Sequence, residues 1–189
     1  MSIFMMVMIG GGIIFIDDKA RGLHEGYLVT PITKFELIAG FNLSGTIKAV
    51  LAGAVLMTVG SLIAGIPDPF APLRILRLLT VIVITAFALI SMMFLLMVRV
   101  TDPLVPRATF GVLNTLLYFP SGAVYPQQGF PAWMQGIAAV DPFTYAVHAF
   151  KSLLLKNTGF QAITFDLLFL IGFSAITMGA ATLLFRRTL

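Results

Sequence analysis

Apolar residues run along this chain in long blocks separated by short polar interruptions. The first block is SIFMMVMIGGGIIFI, residues 2–16. It has no basic leader and no A-x-A site, so it reads as a short or partial span and not as a cleaved signal. The next stretch, DDKARGLHEGYLVTPITKFE at 17–36, is the most polar part of the chain. Apolar character returns at Leu37, and residues 47–66, IKAVLAGAVLMTVGSLIAGI, are long enough to cross a hydrocarbon core. A span starting at Leu37 would bury Lys48, whereas a span over 47–66 leaves it at the boundary, where its stem can snorkel. The pattern therefore predicts a surface helix over 34–46 and a span over 47–66.

Three more spans are predicted at 78–98, 108–124 and 167–185. The prolines of PDPFAP force a turn before the first, and Pro120 and Gly122 should kink or end the second. Between the last two, residues 126–155 are apolar but broken at Asp141-Pro142. Asp is a favoured N-cap and Pro a favoured first helical residue, so a helix should start near 142, and Pro131 can open the preceding limb. Each limb is too short to span, which predicts a re-entrant or interfacial helical hairpin. Tyr125, Trp133 and Tyr145 suit a membrane–water boundary.

Composition agrees. The chain is 59% hydrophobic and 11% charged, against the roughly 25% charge of a soluble globule. The fold class is an all-α integral membrane protein. Lys19, Arg21, Lys34, Lys48, Arg99, Arg107, Arg186 and Arg187 fall on one side, and Arg74, Arg77, Lys151 and Lys156 on the other. That excess puts the 17–46 interlude and the C-terminus in the cytoplasm.

Candidate chemistry is sparse. Cysteine is absent, which excludes disulfides and thiol sites. No P-loop, H-E-x-x-H or G-x-S-x-G sequence occurs. His24 and His148 fall on opposite sides of the membrane and cannot share a metal. Asp166 and Lys48 read as helix-end anchors, and the hydroxyls and amides of Thr80, Thr85, Ser91, Asn114 and Thr115 as bridges between helices. No catalytic or metal-binding residue is expected.

The interlude is more informative. Ala20, Leu23, Tyr27 and Leu28 share one helical face, away from Asp18, Arg21 and Glu25. Thr33-x-x-Glu36 reads as a capping box, with Ile32 and Leu37 as a hydrophobic staple. Periodicity alone fits either a helix lying on lipid or one docked on a protein. The mixture of Asp, Arg and Glu suits a protein partner better than the Lys- and Arg-rich face of a lipid-lying helix.

At this point the chain resembles the permease subunits of type-2 ABC transporters. Their cytoplasmic loop carries a pattern close to R-x-x-G-T-x-E-x-L-x-x-T-P. In ARGLHEGYLVTP, residues Gly22, Glu25, Thr30 and Pro31 fall in register, with Leu28 one position beyond the motif leucine. A second pattern, S-G-x-x-x-P, then P-x-W, then P-[LF]-T-Y, is met by Ser121, Gly122, Pro126, Pro131, Trp133 and Pro142-Phe143-Thr144-Tyr145. Leu23 stands where the family has Thr, and Gly40-Phe41 where it often has Gly-Lys.

The resemblance implies a bundle of about five transmembrane segments in this chain, the N-terminal span of a six-span permease being absent. It also implies a cytoplasmic coupling helix, at about 18–29, and an external re-entrant hairpin at 126–155. Arg21, Gly22, Glu25, Thr30 and Pro31 would couple to a separate ATP-binding subunit. Pro126, Pro131, Trp133, Pro142 and Tyr145 would shape the external gate. The chain would export substrate as one of two permease copies in a bacterial or archaeal cytoplasmic membrane. It would bind no cofactor itself, ATP being used by the partner. The alternative is an ATPase-independent membrane scaffold or channel-like protein.

Overall fold

A computed structural model describes residues 33–63, 65, 71–97, 100, 104–156 and 159–184. The first apolar block and the interlude up to residue 32 lie outside them. Among the described residues every regular element is helical: α1 Lys34–Ile63, α2 Pro72–Met97, α3 Leu104–Tyr118, α4 Ala132–Val140, α5 Pro142–Leu154 and α6 Thr164–Leu184. Short 3-10 turns at Gln127–Gly129 and Phe160–Ile163 precede α4 and α6. The chain is an all-α integral membrane protein.

The capping box is formed as the sequence predicts. Thr33 N donates to Glu36 Oε2 at 2.8 Å, and Glu36 N donates to Thr33 Oγ1 at 3.2 Å. Two of the donors that a helix start leaves unsatisfied are thus closed on each other.

From that cap one helix runs 30 residues without a break, roughly 45 Å at 1.5 Å per residue. The expected junction between a surface helix ending at 46 and a span starting at 47 is absent. No proline or capping group stands there, and the Thr46 hydroxyl bonds back to Asn42 O at 2.8 Å within the helix. The buried small residues Gly45, Ala49 and Gly53, spaced by four, let this stretch lie close against a neighbour.

That neighbour is α2. Pro72 opens it at the first helical position, so Arg74 and Arg77 belong to its first turns and do not precede it. The α1–α2 register is antiparallel. Phe41 and Phe94 have ring centroids 6.0 Å apart, Asn42 Nδ2 donates to Ser91 Oγ at 2.6 Å, and Ala49 shares a core cluster with Ala86. Helix α6 runs parallel to α2: Ile163 clusters with Leu78 and Val81, Leu170 with Ala88, and Ala181 with Leu89 to Phe94. These three are the helices long and apolar enough to cross a membrane among the described residues.

Among the described residues three such helices stand where four spans were expected. The segment expected to cross at 108–124 is a 15-residue helix, α3, that stops at Tyr118. At roughly 22 Å it falls short of a hydrocarbon core of about 30 Å. Two residues end it. Pro120 has no N–H to continue the ladder, and Gly122 sits at φ +75°, a conformation other residues avoid. A Cβ at Gly122 would also come within 2.9 Å of Gln127 Cγ.

One buried polar contact fastens the bundle and gives a test. Asn42 is fully buried, and Ser91 is its partner on α2. Ser91→Ala should lower the free energy of SDS-induced unfolding by about 1 kcal/mol, since an amide is left unpaired. Adding Asn42→Leu should recover part of that loss, because the polar group and its penalty are then both gone. Strictly additive losses would show that the two side chains do not act as a pair.

Candidate functional site: the hairpin and its fastening to the last span

The Asp141-Pro142 break forms the bend the sequence predicts. Asp141 caps α5, its Oδ1 accepting from Phe143 N at 2.9 Å, and Pro142 takes the first helical position. Pro131 stands at the N-cap of α4. At 9 and 13 residues, the limbs are only about 13 and 20 Å long.

The bend sits deep in the bundle. Phe143 clusters with Leu89 and Ile90, at the middle of the apolar run of α2, whereas Leu153 clusters with Leu78 and Val81 at its start. The hairpin thus enters along α2, turns halfway, and returns.

Side chains fasten it on three sides. Within the bend, the Tyr145 hydroxyl donates to Ala139 O at 2.7 Å. Toward α6, the Tyr145 ring stacks on Phe169 with centroids 3.7 Å apart, and His148 Nδ1 lies 2.7 Å from Asp166 Oδ2. Toward the turn after α3, Lys151 Nζ donates to Gly122 O, and Gln127 Nε2 donates to Pro120 O at 3.2 Å. At its far end Arg74 reaches Leu154 O at 3.2 Å, and the Arg77 guanidinium lies 5.7 Å from the Phe160 ring centroid.

Of the residues the resemblance singled out, Pro142 and Tyr145 meet in the bend. Pro126 and Pro131 stand exposed at the openings of the 3-10 turn and α4, and Trp133 is 65% exposed. The prolines shape the backbone. Arg21, Gly22, Glu25, Thr30 and Pro31 lie outside the described residues. Asp166 is more than a helix-end anchor, because it is buried and carries the hold on His148. The sequence reading passed over Asn42, Gln127 and Lys151. No group of three metal-ligating side chains occurs among the described residues.

A helical hairpin held against the last long apolar helix is in keeping with the permease resemblance, and comparison with known proteins decides the family. Residues 1–155 match the ABC-2 type transporter family. The chain belongs to that family.

Among relatives, it is 24% identical over 183 residues to the probable multidrug ABC transporter permease YbhR of Escherichia coli K12, covering 96% of this chain and 48% of the relative. It is 26% identical over 195 residues to the inner membrane transport permease YhhJ of the same organism, covering 100% of this chain and 50% of the relative. The chain spans about half the length of both. No solved structure matches. For this ABC-2 member, the family match covers the interlude, the bundle helices α1 to α3 and the whole hairpin.

The cap at the bend gives a test. Asp141→Asn keeps a side-chain oxygen that can accept from Phe143 N, and Asp141→Ala removes it. Asp141→Ala should therefore lower the free energy of SDS-induced unfolding by about 1 kcal/mol, and Asp141→Asn by clearly less. Equal losses in the two variants would show that the cap does not hold the bend.

Proposed function

We propose that this chain is the permease part of an ATP-driven exporter in a bacterial or archaeal cytoplasmic membrane. It forms the substrate path and couples to a separate ATP-binding subunit. The observation that carries this reading is the family match over residues 1–155, which takes in both the charged interlude and the hairpin. The relatives are named as permeases, one of them as a probable multidrug permease.

In this reading the helix at about 18–29 docks in a groove of the ATPase, with Arg21, Gly22, Glu25, Thr30 and Pro31 at or beside the contact. The capping box at Thr33 and Glu36 supports the transmission of movement. It fixes the start of α1, so displacement of the interlude is passed into a rigid 30-residue rod. Two permease copies would face each other, with the interlude and C-terminus in the cytoplasm. Nucleotide-driven closure of the ATPases would tilt α1 and α2, and the hairpin at 126–155 would serve as the external gate. ATP would be bound and hydrolysed by the partner, since this sequence contains no P-loop.

Glu25→Arg tests the coupling. It reverses one charge on the polar face of the helix and leaves the apolar face intact. Co-purification of the partner ATPase should fall about tenfold, as expected for a lost charge-assisted contact. Substrate-stimulated ATP hydrolysis in vesicles should fall with it. Full ATPase retention and full stimulation would argue instead for an interlude that merely lies on lipid, as in an ATPase-independent scaffold.

A further inference from the structure

Lys48 stands at an unexpected depth. The antiparallel register pairs Phe41 with Phe94 and Asn42 with Ser91, and brings Ala49 into one cluster with Ala86. Lys48 is therefore level with residue 87 of α2. Between Arg77 and its last residue, Met97, that helix carries no charged residue. Ten residues separate residue 87 from Arg77 and ten from Met97, which at 1.5 Å per residue is roughly 15 Å each way. Lys48 sits near the middle of the hydrocarbon, beyond the reach of a four-carbon stem to either surface. The boundary position expected from sequence does not hold, because α1 is continuous through it and packs along the whole of α2.

The side chain is exposed, on the face of α1 turned away from α2. Among the described residues nothing pairs with it. Glu36 is twelve residues back along the same helix, roughly 18 Å away. Asp141 is buried in its cap, and Asp166 holds His148. The apolar block 2–16 contains no acidic residue, so a helix laid over this face from that block would bring no carboxylate to this depth. A second copy of the chain related by a two-fold axis would bring another Lys48. A lysine at mid-membrane is costly unless it meets water or an anion.

We propose that the Lys48 face of α1 lines a water-filled substrate path, and that Lys48 is a cationic subsite for a carboxylate, sulfonate or phosphate group on an amphiphilic substrate. The word substrate rests on the exporter reading above; the hydrated face does not. Ser44, one turn before Lys48 and also exposed, continues the polar strip toward the Glu36 end. The remainder of the face, with Ile47, Leu51 and Val55, would hold the apolar body of such a molecule. Substrate preference would then follow charge: anionic amphiphiles favoured, cationic ones disfavoured at this depth.

The chain has no cysteine, which makes the test direct. Lys48→Cys and, with Lys48 retained, Ser44→Cys are placed in liposomes and treated with a charged thiosulfonate reagent. Only a hydrated thiol ionises and reacts, so both should be modified without detergent. Modification that waits until SDS opens the bilayer would overturn the hydrated face.

Taurocholate is then added to Ser44→Cys. It should slow modification about tenfold, the effect of one charge-assisted contact. The protection should vanish in Ser44→Cys/Lys48→Gln and return in Ser44→Cys/Lys48→Arg. Protection that is equal in all three would overturn the anion subsite. Neither readout needs the ATPase, so a failure of the coupling assignment leaves both results intact and is distinguished from a failure of this proposal.

Discussion

Hydrocarbon offers no hydrogen-bond partner, so each polar group that enters the membrane must bring its own. The described structure can be read as a set of answers to that demand. Thr46, Thr80 and Thr177 turn their hydroxyls back onto carbonyls of their own helices. Asn42 crosses to Ser91, which in turn donates to Phe87 O at 2.8 Å. The hairpin, which breaks its backbone ladder halfway into the bundle, closes the break with Asp141 and the Tyr145 hydroxyl. Asn42 and His148 instead find their partners on a neighbouring helix. The polar contacts therefore also fix which helices are neighbours and at what register.

That same demand explains what was legible in the sequence. Thr33 with Glu36 and Asp141 with Pro142 were readable because capping is a local matter, settled within four residues. Spans were readable where the apolar run was long and bracketed by charge, as in α2. Two readings failed because they depended on a neighbour. Residues 34–46 looked like a separate surface helix, since Lys48 seemed to need the boundary. Only the packing of Gly45, Ala49 and Gly53 onto α2 shows why the helix continues. Residues 108–124 looked long enough to cross, but Gly122 adopts a left-handed turn that closes on Gln127, a contact composition does not reveal.

The hold of the hairpin on the last span had a signal that went unused. Helices α5 and α6 are antiparallel neighbours joined by a short connection centred near residue 157. Residues equidistant from that centre should face each other. His148 and Asp166 each lie nine positions from it, and Tyr145 and Phe169 twelve. Both pairs are in contact. Pairing by mirror position, applied once the connection is recognised, finds what a search for metal or catalytic spacings does not.

The distribution of these contacts bears on how a gate of this kind would move. Toward α6 the hairpin is held by a stacked aromatic pair and a short His–Asp contact, toward α2 by the apolar packing of Ala146, Ala149 and Leu153. Toward α3 it is held by single bonds from Lys151 and Gln127 to carbonyls of one turn. A neutral hydrogen bond such as that of Gln127 contributes about 1 kcal/mol net and one from the charged Lys151 about 2 kcal/mol, together less than several buried apolar side chains with a polar contact beside them. The weaker seam is therefore the one toward α3. In the exporter reading, α2, α5 and α6 would move as a unit, and the opening would form where the hairpin parts from the Phe119–Gly122 turn. Such an opening would lie beside Pro126 and Pro131, whose fixed backbone keeps the parted turn from collapsing into a longer helix.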